Sequence, residues 1–253
     1  MSEQPVTVGQ PPEEEMSFMD KAAGVFYEPS KVFDALRRGG VKTVDWLIPV
    51  LVLAIVASLA TYVRFSTPEL RAQMIQMQEQ RIDQAVNEGK MTSDQAQQAR
   101  DRIEGSSSVF VVFGIIGVIV GTFLVFFIAA GVWLLIGKYI LKGTSMTYAH
   151  AMGLAGIASW IATVGAIMGI VIAVMFARFD GGLHLGLLTQ MDNESKRYIL
   201  MRNINLFTIW NLAVSAVGIN VFSGKKGLTA YAAVFGVWIV IVVVNVLLGG
   251  MLG

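Results

Sequence analysis

The chain has no cysteine among its 253 residues. Disulfides, thiolate catalysis and cysteine-ligated metals are therefore excluded, and the redox compartment is left open. Histidine is nearly absent too, with two residues. An intramembrane metalloprotease wants HExxH or a similar Glu/His set, but His150 is followed by AMGL and His184 by LGLL. His150 reads as an interfacial residue, not a metal ligand. Charge is scarce: 15% of residues are Asp, Glu, Lys or Arg, against about 25% in soluble domains. The net charge of +1 gives no bulk field for a nucleic-acid partner. The first 45 residues are polar, so no cleavable signal peptide is expected and the first span serves as its own signal.

What is abundant is apolar sequence, 55% of the chain, with a mean hydropathy of +0.62. The run Val109–Gly137, VFVVFGIIGVIVGTFLVFFIAAGVWLLIG, holds no charged residue. A bilayer core needs about 20 apolar helical residues to cross it. In lipid the backbone must satisfy its own hydrogen bonds, so the run has to be a helix. The pattern predicts an all-α, polytopic membrane bundle of five spans, at about 46–63, 109–137, 151–177, 203–221 and 228–248. A soluble helical hairpin lies between the first two.

Residues 1–16 hold Pro5, Pro11, Pro12 and the run Glu13, Glu14, Glu15, and read as a disordered tail. Residues 17–45 read as an amphipathic lead-in. Phe18, Ala22, Val25 and Phe26 recur at helical spacing. Pro29 breaks the pattern, and Val32, Phe33 and Leu36 share one side of a second short helix. Such helices beside a span commonly lie in the headgroup layer. Phe26, Pro29, Phe33, Arg37 and Arg38 are the candidate interfacial residues, and a linker packed on the bundle is the alternative.

In the insert 65–108, Thr67-Pro68 predicts a helix start with proline at its first position, running to about Glu88 with Gly89 as its stop. Thr92 and Gln95 form a capping box that opens a second helix, closed by Gly105. Met74, Met77, Ile82, Val86 and Ile103 make a thin apolar stripe. It is either the seam between the two helices, the preferred reading, or a docking face.

The second span carries Gly117 and Gly121, and the third Gly165 and Gly169. Small residues four apart let membrane helices approach closely, so these four are candidate packing positions. The fourth span is the most polar. Thr208, Asn211 and Ser215 fall on one face, either as hydrogen-bonding glue between helices, the preferred reading, or as the lining of a path for a polar or lipid ligand. No span interior holds an ionisable residue, so activated nucleophiles and bases are missing at membrane depth. No enzymatic activity, cofactor or metal is expected. The turn SGKKG at 223–227 fails the phosphate-loop pattern, because position 219 is Ile and position 226 is Lys. Arg37, Arg38 and Lys42 crowd the first span, the loops at 138–150 and 223–227 are purely basic, and the insert holds 7 acidic against 5 basic residues. Positive charge on short loops places the amino terminus in the cytoplasm.

Three stretches together resemble the Yip family, the Ypt/Rab-interacting membrane proteins, and its bacterial relatives. They are FYEPSKVFDALRR before the first span, SMTYAHAMGLAGIASWI at the entry to the third, and NLFTIWNLAVSAVGINVFSGKKGLTAYAAV through the fourth and its basic turn. The third span continues as SWIA where many relatives have a proline, and the long insert is not a standard part of the eukaryotic proteins. The resemblance implies a non-enzymatic membrane organiser or adaptor in contact with lipids and with a protein partner, or with copies of itself as a homo-oligomer. Its lead-in is like that of bacterial members, which implies the bacterial cytoplasmic (inner) membrane. Lipid handling or small-molecule transport, alone or as a transporter subunit, through the polar face of the fourth span is the alternative.

Overall fold

A computed structural model describes residues 15–105, 107–143, 145–192 and 195–249. All but two residues of the expected amino-terminal tail lie outside that set. The described residues are almost wholly helical, and their only β feature is an isolated bridge between His184 and Asn205. Ten α-helices follow in order: α1 Phe18–Gly24, α2 Pro29–Gly39, α3 Thr43–Ser66, α4 Pro68–Asn87, α5 Ser93–Gly105, α6 Ser107–Leu135, α7 Tyr148–Met175, α8 Lys196–Asn203, α9 Leu206–Ser223 and α10 Thr229–Leu247. A π-turn, Ile136–Ile140, extends α6.

Five of these, α3, α6, α7, α9 and α10, are long and apolar enough to cross a membrane. The chain is an integral membrane protein. Apolar residues surround α6 on every side, and only 6% of its most apolar stretch is buried by protein, against 50% for α9. Helix α6 therefore offers lipid its Phe113, Val120 and Val125, while α7 and α9 form the centre. α3 packs chiefly along α7, α6 lies against both, and α10 closes on α9.

Five crossings give the bundle two ends. Helices α1 and α2 and the turns 141–147 and 224–228 mark the lead-in end. The pair α4–α5 and the segment 176–205 mark the hairpin end. The capping box forms as expected, with Gln95 N donating to Thr92 Oγ1 at 3.3 Å and Thr92 N to Gln95 Oε1 at 3.0 Å. Thr67 precedes α4, but its hydroxyl donates back to Val63 O at 2.8 Å instead of capping the new helix. The fourth span begins at Leu206, later than the expected 203. Asn205 caps it from outside, accepting from Phe207 N at 2.9 Å and Thr208 N at 3.3 Å.

The apolar face of the lead-in packs on the bundle, as the alternative reading of this segment has it. Val25, Val32, Phe33 and Leu36 are fully buried. Phe33 packs on Phe222 (6.0 Å between ring centroids), and Phe26 meets Trp210 edge-on at 5.7 Å. Phe18 contacts Trp160, which stands twelve residues into α7, about 18 Å along its axis. The α1–α2 turn thus wedges into the bundle. Pro29 starts α2, and Arg37 and Arg38 stay exposed, both pairing with Asp34.

Glycine placement also departs from expectation. Gly117 and Gly121 face open space, with nothing within 4 Å of where a side chain would begin. They are not packing positions within this chain. Gly165 is one, since a Cβ there would stand 2.8 Å from Phe207 Cβ, and Gly169 lies 3.1 Å from Gly181 O on the same measure. Helices α3 and α7 also cross closely at Gly156, where a Cβ would run into the Trp46 backbone.

Candidate functional site

The hairpin end carries the densest polar geometry. Arg178 follows α7 and its guanidinium grips Asp180 with both forks, Nε to Oδ1 at 2.9 Å and Nη2 to Oδ2 at 2.8 Å. The same side chain donates to Thr189 O at 2.8 Å and Gly186 O at 3.2 Å, which folds the segment 178–189 around one cation. Tyr198, on α8, donates its hydroxyl to Asp180 Oδ2. Asp180 is only 4% exposed at its side chain. Burial pushes its carboxyl up, but the bonds from Arg178 and Tyr198 outweigh that and hold it below the usual carboxylate range. For Tyr198, burial and then the bond to Asp180 raise the phenol well above its ordinary value.

His184 lies beneath this network, 8% exposed. Its Nε2 stands 2.7 Å from Asp180 O. A carbonyl only accepts, which assigns the proton to Nε2. Nδ1 is buried and has no hydrogen-bond partner among the described residues. The backbone pairs Leu185 N to Ile204 O (3.1 Å) and Leu206 N to Leu183 O (2.9 Å) tie the segment to the start of α9.

The hairpin is fastened onto this platform. Gln73 of α4 accepts from Phe179 N at 2.9 Å and donates to Ala177 O at 2.5 Å. At the far end of α4, Arg100 of α5 donates to Asp83 at 2.5 Å. The apolar stripe divides accordingly. Ile82 and Ala96 are buried, whereas Met74 and Met77 line an open-sided cavity of about 680 Å³ between α3, α4, the 178–205 segment and α10.

Three arginines from three elements line that cavity: Arg64 at the end of α3, Arg81 in α4 and Arg202 in α8. Arg64 donates from Nε to Phe179 O at 3.1 Å and lies over the Phe179 ring at 5.9 Å. Among the described residues, no carboxylate is paired with Arg64, Arg81 or Arg202. Among the described residues the one carboxylate on the cavity wall is Asp180, which is bonded to Arg178 and Tyr198. Phe65 and Trp238 give the same cavity an apolar flank.

The polar face of the fourth span is less open than its sequence implies. Asn211 donates to Ala158 O of α7 at 2.8 Å, a cross-helix bond. Ser215 is 1% exposed and its hydroxyl has no partner among the described residues. Thr208 alone reaches the large cavity, and with Asn211 and Gly165 it lines a smaller cleft of about 370 Å³. The lead-in residues and the four candidate glycines stand apart from the arginine-lined cavity. Sequence reasoning missed Arg64, Arg81 and Arg202 as a group, because they come from segments up to 138 positions apart. It also missed the buried pair at the other end, Lys21 Nζ to Asp45 Oδ1 at 3.0 Å, with side chains 9% and 1% exposed.

Five apolar helices in this order, preceded by a short helical lead-in, accord with one further finding: the model of the Yip1 domain matches residues 23–248. The chain belongs to the Yip1 family. The Yip1 domain thus takes in all five spans, the α4–α5 pair and the arginine-lined cavity. No curated protein and no solved structure matches the chain. Among the described residues no three His, Asp or Glu side chains gather as a metal site.

Proposed function

We propose that this Yip1-family protein is a non-enzymatic adaptor or organiser of its membrane, which binds a protein partner through the α4–α5 hairpin. The observation that carries the reading is the Gln73 clamp on Ala177 and Phe179. It sets the base of the hairpin at one orientation on the bundle, while α5 and the outer turns of α4 present exposed Gln and charged side chains. A docking element held in place loses less conformational freedom on binding than a loose one. The positive residues before α3 support an amino terminus in the cytoplasm, and the likeness of the lead-in to bacterial members supports the bacterial cytoplasmic membrane. The hairpin would then project on the opposite side.

The test is a pull-down from native membranes in mild detergent, comparing the full chain with a version in which 67–104 are replaced by a short Gly/Ser linker. A stoichiometric partner lost with the hairpin is the expected result. An unchanged set of co-purifying proteins would end the adaptor reading. Lipid handling is a second reading, favoured by the cavity under the hairpin instead of the α9 face, whose Asn211 is already bonded within the bundle. Lipid analysis of the same purified sample tests it, and it fails if no lipid is selectively retained.

A further inference from the structure

We propose that the cavity between α3, α4, α8 and α10 is a binding site for a phosphate-bearing anion, held by Arg64, Arg81 and Arg202. The proposal deepens the lipid-handling reading and rests on it for the source of the ligand.

Charge balance comes first. The three arginines line one volume of about 680 Å³, and none has an ion-paired carboxylate among the described residues. Asp180 acts on Arg64 only through space, because Arg178 occupies both its oxygens and Tyr198 bonds to it as well, so one shared carboxylate faces three further arginines. Like charges gathered around one space repel. They are tolerated best when an anion sits among them, and the guanidinium fork matches phosphate oxygens in pairs.

Mobility comes second. Arg64 is held from behind, since its Nε is committed to Phe179 O and the ring of Phe179 lies against its plane. Its two terminal nitrogens remain available in a fixed place. A pre-positioned donor loses little side-chain entropy on binding.

Shape comes third. Trp238 stands nine residues before the end of α10, about 13 Å along that helix. Together with Phe65 it carries the apolar side of the cavity from the arginines toward the depth of the bundle. The arrangement suits an amphiphile, with a phosphate at the arginines and a chain along the aromatic flank.

The test uses the full chain in nanodiscs of phosphatidylcholine doped with phosphatidylglycerol, with bound lipid counted by native mass spectrometry after release. Glycerol phosphate added to the same sample, read as a shift in melting temperature, probes a soluble source. Selective retention of phosphatidylglycerol by the wild type is expected, falling at least tenfold in R64Q. Because Arg64 also holds Phe179, the double variant R81Q/R202Q provides an independent check. Neither arginine makes a hydrogen bond among the described residues, so folding should survive and retention should fall alike. R37Q/R38Q at the other end should change nothing. Retention unchanged in both cavity variants overturns the site while leaving lipid handling standing. A wild type that retains no lipid but binds glycerol phosphate through these arginines supports the site and ends the lipid source. Neither ligand binding to the wild type overturns both.

Discussion

The Lys21–Asp45 pair shows how a single contact can anchor a peripheral element. Asp45 is fully buried, and its second oxygen accepts from Lys42 N at 2.8 Å, closing the first turn of α3. Removing one member of a buried pair leaves an uncompensated charge, at a cost of about 3–5 kcal/mol. Lys21→Ala should therefore destabilise the bundle by about that much and release α1. Lys21→Met combined with Asp45→Asn removes both charges and keeps the cap, so it should lose less than half as much. Unfolding of the three proteins in one detergent decides this, and equal losses would show that the charge itself is immaterial.

At the scale of elements, the 178–205 segment and the glycine crossings make separate predictions. The carboxyl of Asp180 lies below its unfolded value of about 3.9. Its stabilising effect is therefore complete above that pH and is lost as pH falls through the lower folded value. For Tyr198 the folded value is raised, so its contribution is complete below about pH 10 and is lost on further alkalinisation. Hydrogen exchange of amides 178–205, corrected for intrinsic rates, should show constant protection between about pH 5 and 9 and loosening on either side. Asp180→Asn should abolish the acid limb, and an unchanged acid limb in that variant would assign it to other groups. For the glycines, Gly156→Leu places a side chain on the Trp46 backbone. Overpacking of that kind should cost about 3 kcal/mol. Gly117→Leu and Gly121→Leu enter open space and should stay within about 0.5 kcal/mol of wild type. Melting in one detergent compares all three.

For the whole molecule, the two ends should face different compartments. The chain has no cysteine of its own, so single introduced thiols report without background. Gln97→Cys sits in α5 at the hairpin end, and Lys226→Cys in the turn before α10 at the lead-in end. With the amino terminus inside, an impermeant maleimide on intact cells should label only the first. Labelling of Lys226→Cys from outside would invert the molecule and place the arginine-lined cavity in the cytoplasmic half.

Much of the architecture was legible from the chain alone. A stretch such as 109–137 has one stable solution in hydrocarbon, because no solvent is there to satisfy a non-helical backbone. The capping box at Thr92 and Gln95 is equally local, with three residues separating donor from acceptor. Tertiary structure alone decided which small and charged residues matter. Gly117 and Gly156 look alike in sequence, yet one faces open space and the other the Trp46 backbone. The lead-in periodicity marked an apolar face but could not say that protein, through Trp160 and Trp210, would cover it in place of lipid. Arg64, Arg81 and Arg202 each read as an ordinary charge at the edge of a helix. Spacing rules reach only a few residues along a chain, while a cavity collects its walls from whichever segments the packing brings together.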